Sequence, residues 1–190
     1  MNSVKVGFAM CGSFCTFAQA IPQMKALVDA GADVLPIMSP TAAGTDTRFG
    51  AAKDICAKIE GICGKKIITT ISEAEPVGPK KLLDLLIIEP CTGNTLSKLA
   101  NGITDTSVTM AAKAHLRNSR PVLIGVATND GLSASAKNLG ILLNTKNIFF
   151  IPMSQDDPTG KPSSLICNFD ETILAAHAAL DGRQLQPVFS

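Results

Sequence analysis

Small, hydroxylated and amide residues gather at four places where apolar runs of this chain end: Gly12-Ser13, Ser39 with Thr41, Thr92-Gly93-Asn94-Thr95, and Thr128-Asn129. Turns of this kind offer backbone N–H groups together with hydroxyl and amide groups, a lining suited to a phosphate and a flat polar ring. A helix amino terminus binds phosphate without needing a lysine, and Gly12-Ser13 and Asn94-Thr95 could each supply one. Taken singly, each turn reads as an ordinary helix cap. Taken together they read as a crevice, because the carboxyl ends of parallel strands lie along one edge of a sheet.

Groups that could do covalent or acid–base work are fewer. Cys91 lies in a turn before a helix start, where a thiol can become a nucleophile, but a small packing residue beside a ligand is the simpler reading. Cys11 and Cys15 flank the first turn and carry the same two readings. His115 shares a helical stripe with Val108, Ala111 and Ala112, which points to a core or subunit-interface histidine before a catalytic one. His177 sits similarly with Ile173, Ala176 and Leu180. No GxGxxG follows the first strand, and no GxxxxGK[ST], HExxH or GxSxG occurs, which argues against a stand-alone dinucleotide dehydrogenase, a P-loop NTPase and the common hydrolases. No metal-ligand spacing is present either.

The elements that must position these residues alternate. Strands are predicted at Val4 to Met10, Asp33 to Met38, Ile67 to Ile71, Asp84 to Ile88, Pro121 to Val126 and Asn147 to Ile151, with a short extended piece at Leu165 to Asn168. Pro36 places the second strand beside an edge or bulge. Helices are predicted at Phe14 to Ala30 with Pro22 as a kink or late start, about Asp46 to Ile62, from Thr95, at Asp105 to Asn118 capped by Asp105, near Ala134 to Leu143, and at Asp170 to Gly182. Glu73 to Pro79 reads as a loop, and Ser154 to Pro162 as a polar loop that is either solvated or folded over the crevice. The apolar run before Thr92, LLDLLIIEPC, is the pattern of a strand buried on both faces. Strands alternating with helices give an α/β fold built on a doubly wound parallel sheet, in one domain over residues 1–190.

Bulk properties narrow the function. Formal net charge is +1, from 17 basic and 16 acidic residues, and the chain has no Trp, no Tyr and eight dispersed Phe. A basic stripe with stacking aromatics is therefore missing, which argues against nucleic acid. No apolar run reaches the roughly 20 residues that cross a bilayer, and the amino end reads as a strand, so a cytoplasmic protein is expected. The six cysteines read as reduced thiols.

Gly12-Ser13, PCTGNTLSK at 90–98, NGITD at 101–105 and Asn129 together resemble the homo-oligomeric flavin-containing cysteine decarboxylases. These are FMN-binding proteins with a Rossmann-like, mostly parallel sheet covered by helices on both faces. Their middle segment reads approximately PxSANTxxK, which Asn94, Thr95 and Lys98 match directly. Longer stretches, 90–122, TNDGL at 128–132, SQDDPTGKPSSL at 154–165 and GRQLQP at 182–187, resemble the family of dipicolinate synthase B subunits of spore-forming bacteria. That resemblance implies an oxidoreductase subunit active only with its partner, the dipicolinate synthase A subunit. The pair would carry out NAD(P)-dependent oxidation of a dihydrodipicolinate-type precursor in the mother cell during sporulation, with the nicotinamide bound by the partner.

It also implies a homo-oligomer, and FMN held by Gly12, Ser13, Ser39, Thr41, Thr92, Gly93, Asn94, Thr95, Thr128 and Asn129. A dicarboxylate substrate needs cationic partners, for which Arg48, Lys98 and Lys161 are the candidates. The decarboxylases carry a histidine before the strand leading into PxSANT, and residues 71–90 contain none. Loss of that general base predicts no cysteine decarboxylation. Two other readings stay open: a non-catalytic assembly subunit that keeps the crevice, and an FMN-dependent reductase.

Overall fold

The computed structural model describes residues 1–190. In chain order the elements are β1 (Lys5–Met10), α1 (Phe17–Asp29), β2 (Asp33–Met38), α2 (Pro40–Gly44), α3 (Ala52–Cys63), α4 (Ile71–Ala74), β3 (Leu85–Cys91), α5 (Gly93–Ala100), α6 (Ser107–Leu116), β4 (Val122–Thr128), α7 (Ala136–Leu143), β5 (Ile148–Phe150), β6 (Met153–Ser154), β7 (Leu165–Cys167) and α8 (Thr172–Leu180). Strands β2, β1, β3, β4 and β5 lie side by side in that order, all parallel. Past β5 along the chain, the antiparallel pair β6–β7 joins the carboxyl end of β4 through Ala127 and Thr128. The order reverses between β1 and β3, and an open α/β sheet holds its ligand at such a reversal.

Both faces of the sheet are covered. Leu86 and Ile88 of β3 point into an apolar cluster with α4, α5, α6 and α7, and Leu85 and Ile87 into a second with α1, α3 and α8. The two clusters hold 23 and 22 buried residues, so neither face is left to solvent and β3 can be apolar at successive positions. After Ile88 the β3–β4 register shifts, with Cys91 opposite Val126, and this moves Cys91 to the α5–α7 side.

Pro36 is accommodated as the edge position predicts. The N–H groups of Asp33 and Ser39 point to β1, so residue 36 points outward, and no β1 hydrogen bond is lost. Helix α1 runs through Pro22, which is exposed on its solvent side. Gly31 (φ 86) takes the left-handed turn that returns the chain to β2.

Several predicted boundaries shift for local reasons. Only Ile68 of the predicted strand at 67–71 extends the sheet, by one bridge to Ile37. The chain then turns because Thr70 and Glu73 form a reciprocal capping box that starts α4. Residues 71–77, predicted mainly as loop, are consequently helical, with Pro76 inside a 3-10 turn at Glu75–Val77. Helix α3 starts at Ala52, not near Asp46; the Asp46 side chain reaches forward to accept the Ala52 N–H at 2.8 Å. Thr106, not Asp105, caps α6, in a box with Thr109, and Asp105 is left free to pair with Lys98. His177 is exposed, not in the core face read for it. No helix is long and apolar enough to cross a membrane.

Candidate functional site

The four strand ends touch one another in pairs. At the β1 and β2 ends, a Cβ placed on Gly12 would lie 3.4 Å from Thr41 Cγ2. At the β1 and β3 ends, Thr95 Oγ1 donates to Cys11 Sγ at 3.2 Å. At the β3 and β4 ends, a Cβ on Gly93 would lie 2.5 Å from Asp130 Oδ1 and 2.8 Å from Thr128 Oγ1, so only glycine lets these turns meet. Between β1 and β4, Ser13, Thr128 and Asn129 line one cavity of about 90 Å³ with Cys15, Asp156 and Lys161.

Helix α5 starts inside this group. Thr92 caps it, accepting the Thr95 N–H at 3.3 Å, which leaves the Gly93 and Asn94 N–H groups without a protein acceptor. Asn94 and Asn129 are exposed, and Thr95 is buried. Such a start attracts an anion through its free N–H groups and the helix dipole.

The polar loop after β6 folds back beside the crevice. Lys161 Nζ binds Asp156 Oδ2 at 2.8 Å, Gln155 Nε2 donates to Pro162 O at 2.8 Å, and Ser164 donates to Asp156. These bonds place the ammonium of Lys161 at the small cavity. The other two cations lie elsewhere. Arg48 is exposed on the loop before α3, its guanidinium 4.9 Å from the Phe49 ring centre. Lys98 pairs with Asp105 at 2.9 Å and lines a separate hollow with Lys113. Ser39 is buried, and its hydroxyl is occupied as the α2 cap, accepting the Ala42 N–H at 3.2 Å.

Burial decides between the two readings of the inner cysteines. It pushes the Cys11 thiol up to about 11 and the Cys91 thiol well above the ordinary value, so both stay protonated at neutral pH and act as packing groups. His115 is fully buried, with Nε2 3.1 Å from Pro121 O and Nδ1 unpaired. Since Pro121 O can only accept, Nε2 carries the hydrogen. Desolvation pulls this imidazole down to about 4, keeping it neutral.

The largest cavity, about 1040 Å³, opens on the other side of α2 and contains none of the residues predicted for the site. Pro40, Thr69, Thr70, Ser72, Ser107 and Glu75 are among its lining, with carboxylates also from Glu60 and Asp105 and no basic side chain. Lys66 holds Glu60, and Lys98 holds Asp105, below the usual carboxylate range. A sequence signal was available: Thr70-x-x-Glu73 is a capping box, and it marks the helical turn that forms one wall.

The family model described as Flavoprotein matches residues 1–180. The chain belongs to the flavoprotein family. It is 47% identical over 191 residues to the dipicolinate synthase B subunit of Bacillus subtilis (strain 168), covering 99% of this chain and 96% of that protein. The crystal structure of the dipicolinate synthase B subunit from Bacillus halodurans C superposes with a TM-score of 0.91 at 45% identity, covering 100% of this chain and 98% of that one. The FMN-dependent cysteine decarboxylase SpaF shares the fold, with a TM-score of 0.65 at 21% identity over 94% of this chain and 97% of its own. In this flavoprotein-family chain, the histidine-free segment noted at 71–90 supplies Ile71, Ser72 and Glu75 to the wall of the large cavity.

Proposed function

We propose that this chain is the flavin-type subunit of a two-subunit oxidoreductase, acting with a dipicolinate synthase A subunit in the NAD(P)-dependent oxidation of a dihydrodipicolinate-type precursor to dipicolinate. The observation that carries this reading is the 47% identity, nearly end to end, to a dipicolinate synthase B subunit. The crevice supports it chemically. The N–H groups of Gly12, Gly93 and Asn94, with the hydroxyl of Ser13, form a donor set that fits the phosphate of FMN. The cavity beyond α2 has the size of a ring-binding pocket, and its threonine and serine hydroxyls suit a neutral polar ring.

FMN bound there would supply a two-electron redox ring. The protein's own residues bind and orient. Asn94 and Asn129 present amides at the crevice rim, and Lys161 offers an ammonium to a substrate carboxylate. NAD(P) enters this reading through the partner. The test is reconstitution: this chain, the A-type partner, NADP and the precursor together yield dipicolinate, and each protein alone yields little. Full activity from the partner alone would overturn the reading. Visible absorption before and after adding FMN checks the cofactor.

A second reading, a non-catalytic assembly subunit that retains the crevice, is favoured by one specific observation. Neither histidine is placed for proton transfer there: His115 is buried against Pro121, and His177 is exposed on α8. A preparation that takes up no FMN, yet is still required for the partner's activity, would decide for this alternative.

A further inference from the structure

Glu89 is the one acidic side chain that the fold removes completely from solvent. It lies on β3, three positions before the Thr92 cap, and faces the α1–α8 side of the sheet. Its Cγ packs on Gly125 of β4, where a Cβ would come within 2.9 Å. None of the protein's ion pairs includes it, and Oε2 has no hydrogen-bond partner. Oε1 lies 2.9 Å from the hydroxyl of Thr172, the first residue of α8. That same hydroxyl lies 2.7 Å from Phe169 O.

Hydrogen counting settles what the contact requires. A threonine hydroxyl has one hydrogen, and a backbone carbonyl can only accept. With the Thr172 hydrogen directed to Phe169 O, the contact to Glu89 is a hydrogen bond only if the carboxyl donates. An ionised Glu89 would leave a negative Oε2 buried without a donor, which is costly in an apolar setting.

We propose that Glu89 keeps its proton in the folded protein at neutral pH and acts as a proton-dependent latch. By donating to Thr172, it ties the end of β3, just before the Cys91–Thr95 turn, to the amino end of α8. Burial supports this by pushing the carboxyl up to about 8; a Thr172 hydroxyl turned to donate to the carboxyl would act the other way, and directing its one hydrogen to Phe169 O removes that effect. No cation opposes it from any side. From β7 comes the Cys167 thiol, itself raised well above its ordinary value by burial. Cys91, on the same strand, points to the opposite cluster. Asp170 and Glu171 precede Thr172 and make no hydrogen bond to the carboxyl, and His177 of α8 is exposed. On α1, Lys25 and Asp29 pair with each other at the surface, and β4, which carries no charged residue, sets Gly125 against Glu89.

The linkage has a definite sign. Below about 4.5 the carboxyl is protonated folded or unfolded; between there and about 8 only the folded chain holds the proton. Folding is therefore weakened as pH rises through that window, by up to about tenfold in the folding constant per pH unit, and levels off above it. Urea unfolding of the full chain across this range, beside Glu89→Gln, reads the effect directly. The ratio of folding constants, variant over wild type, is expected to rise close to tenfold per unit between about pH 5 and pH 8 and then to flatten. Parallel pH profiles would overturn the proposal. Infrared titration of the wild type serves if the variant does not fold: one protonated carboxyl carbonyl band persists at neutral pH and disappears with a midpoint near 8. No such band at neutral pH would sink the proton. Thr172→Val, which removes the acceptor that only the protonated carboxyl can use, is expected to move that midpoint downward; an unmoved or raised midpoint would sink the latch.

Discussion

Two residues of the crevice make distinct demands on experiment. Gly93 is where the β3 and β4 turns meet, and a methyl group there would press on Asp130, Ser135 and Thr128 together. Gly93→Ala is expected to cost roughly 1–3 kcal/mol, the usual range for an overpacked site. Urea denaturation measures this, and a loss near zero would show that the turns separate freely. Lys161 acts through charge. Its ammonium is already shared with Asp156, which lifts the lysine above its ordinary value through their hydrogen bond, so a carboxylate arriving at the cavity finds a cation held in place. Lys161→Ala is expected to raise the apparent KM of the proposed two-subunit enzyme while leaving folding intact, because the side chain is exposed. An unchanged KM removes it from the substrate site.

At the scale of elements, caps decide where helices begin, and therefore which side chains are left for other work. Thr106 and Thr109 satisfy each other's backbone donors at the start of α6, and this releases Asp105 toward Lys98 of α5. Thr106→Ala is expected to lose about 1 kcal/mol of stability. Thr106→Ser, which keeps the oxygen, is expected to restore most of it; calorimetry of the three proteins compares them. Equal melting temperatures for all three would mean that the box contributes nothing. Thr70 and Glu73 play the same part for α4, and there the cap also shapes the wall of the large cavity. Residues 67–77 look strand-like and then loop-like by local composition. The capping box redirects them, because it satisfies N–H groups that a continuing strand would have left unpaired.

Over the whole molecule, two buried ionisable groups pull stability in opposite directions. His115 folds as a neutral imidazole, held down at about 4 by desolvation against an ordinary 6.5. Its contribution is complete above about 6.5 and is lost as pH falls toward 4, because the unfolded chain takes up the proton first. Against a His115→Gln variant, wild-type folding is thus expected to weaken on acidification across that window by up to about tenfold in the folding constant per unit. A pH series of urea midpoints reads the difference. Identical profiles for the two proteins would show that the imidazole is already solvated.

The alternation of strands and helices, the edge position of β2 and the four small-residue turns were all legible in the order of the residues. They follow from apolar periodicity and turn chemistry, which act over a few neighbouring positions. The family motifs at 90–98 were legible for the same reason, as contiguous segments. Which groups lie together within that frame is a matter of packing in three dimensions. Lys161 reaches the crevice because its loop folds back, whereas Arg48 and Lys98, equally charged, are held elsewhere by Phe49 and Asp105. Glu89 looks like one polar residue closing an apolar run. Its burial and its partner come from α8, 83 positions further along the chain, and from the bare backbone of Gly125. Contacts between residues so distant in the chain are set by how layers pack, and no local pattern encodes them.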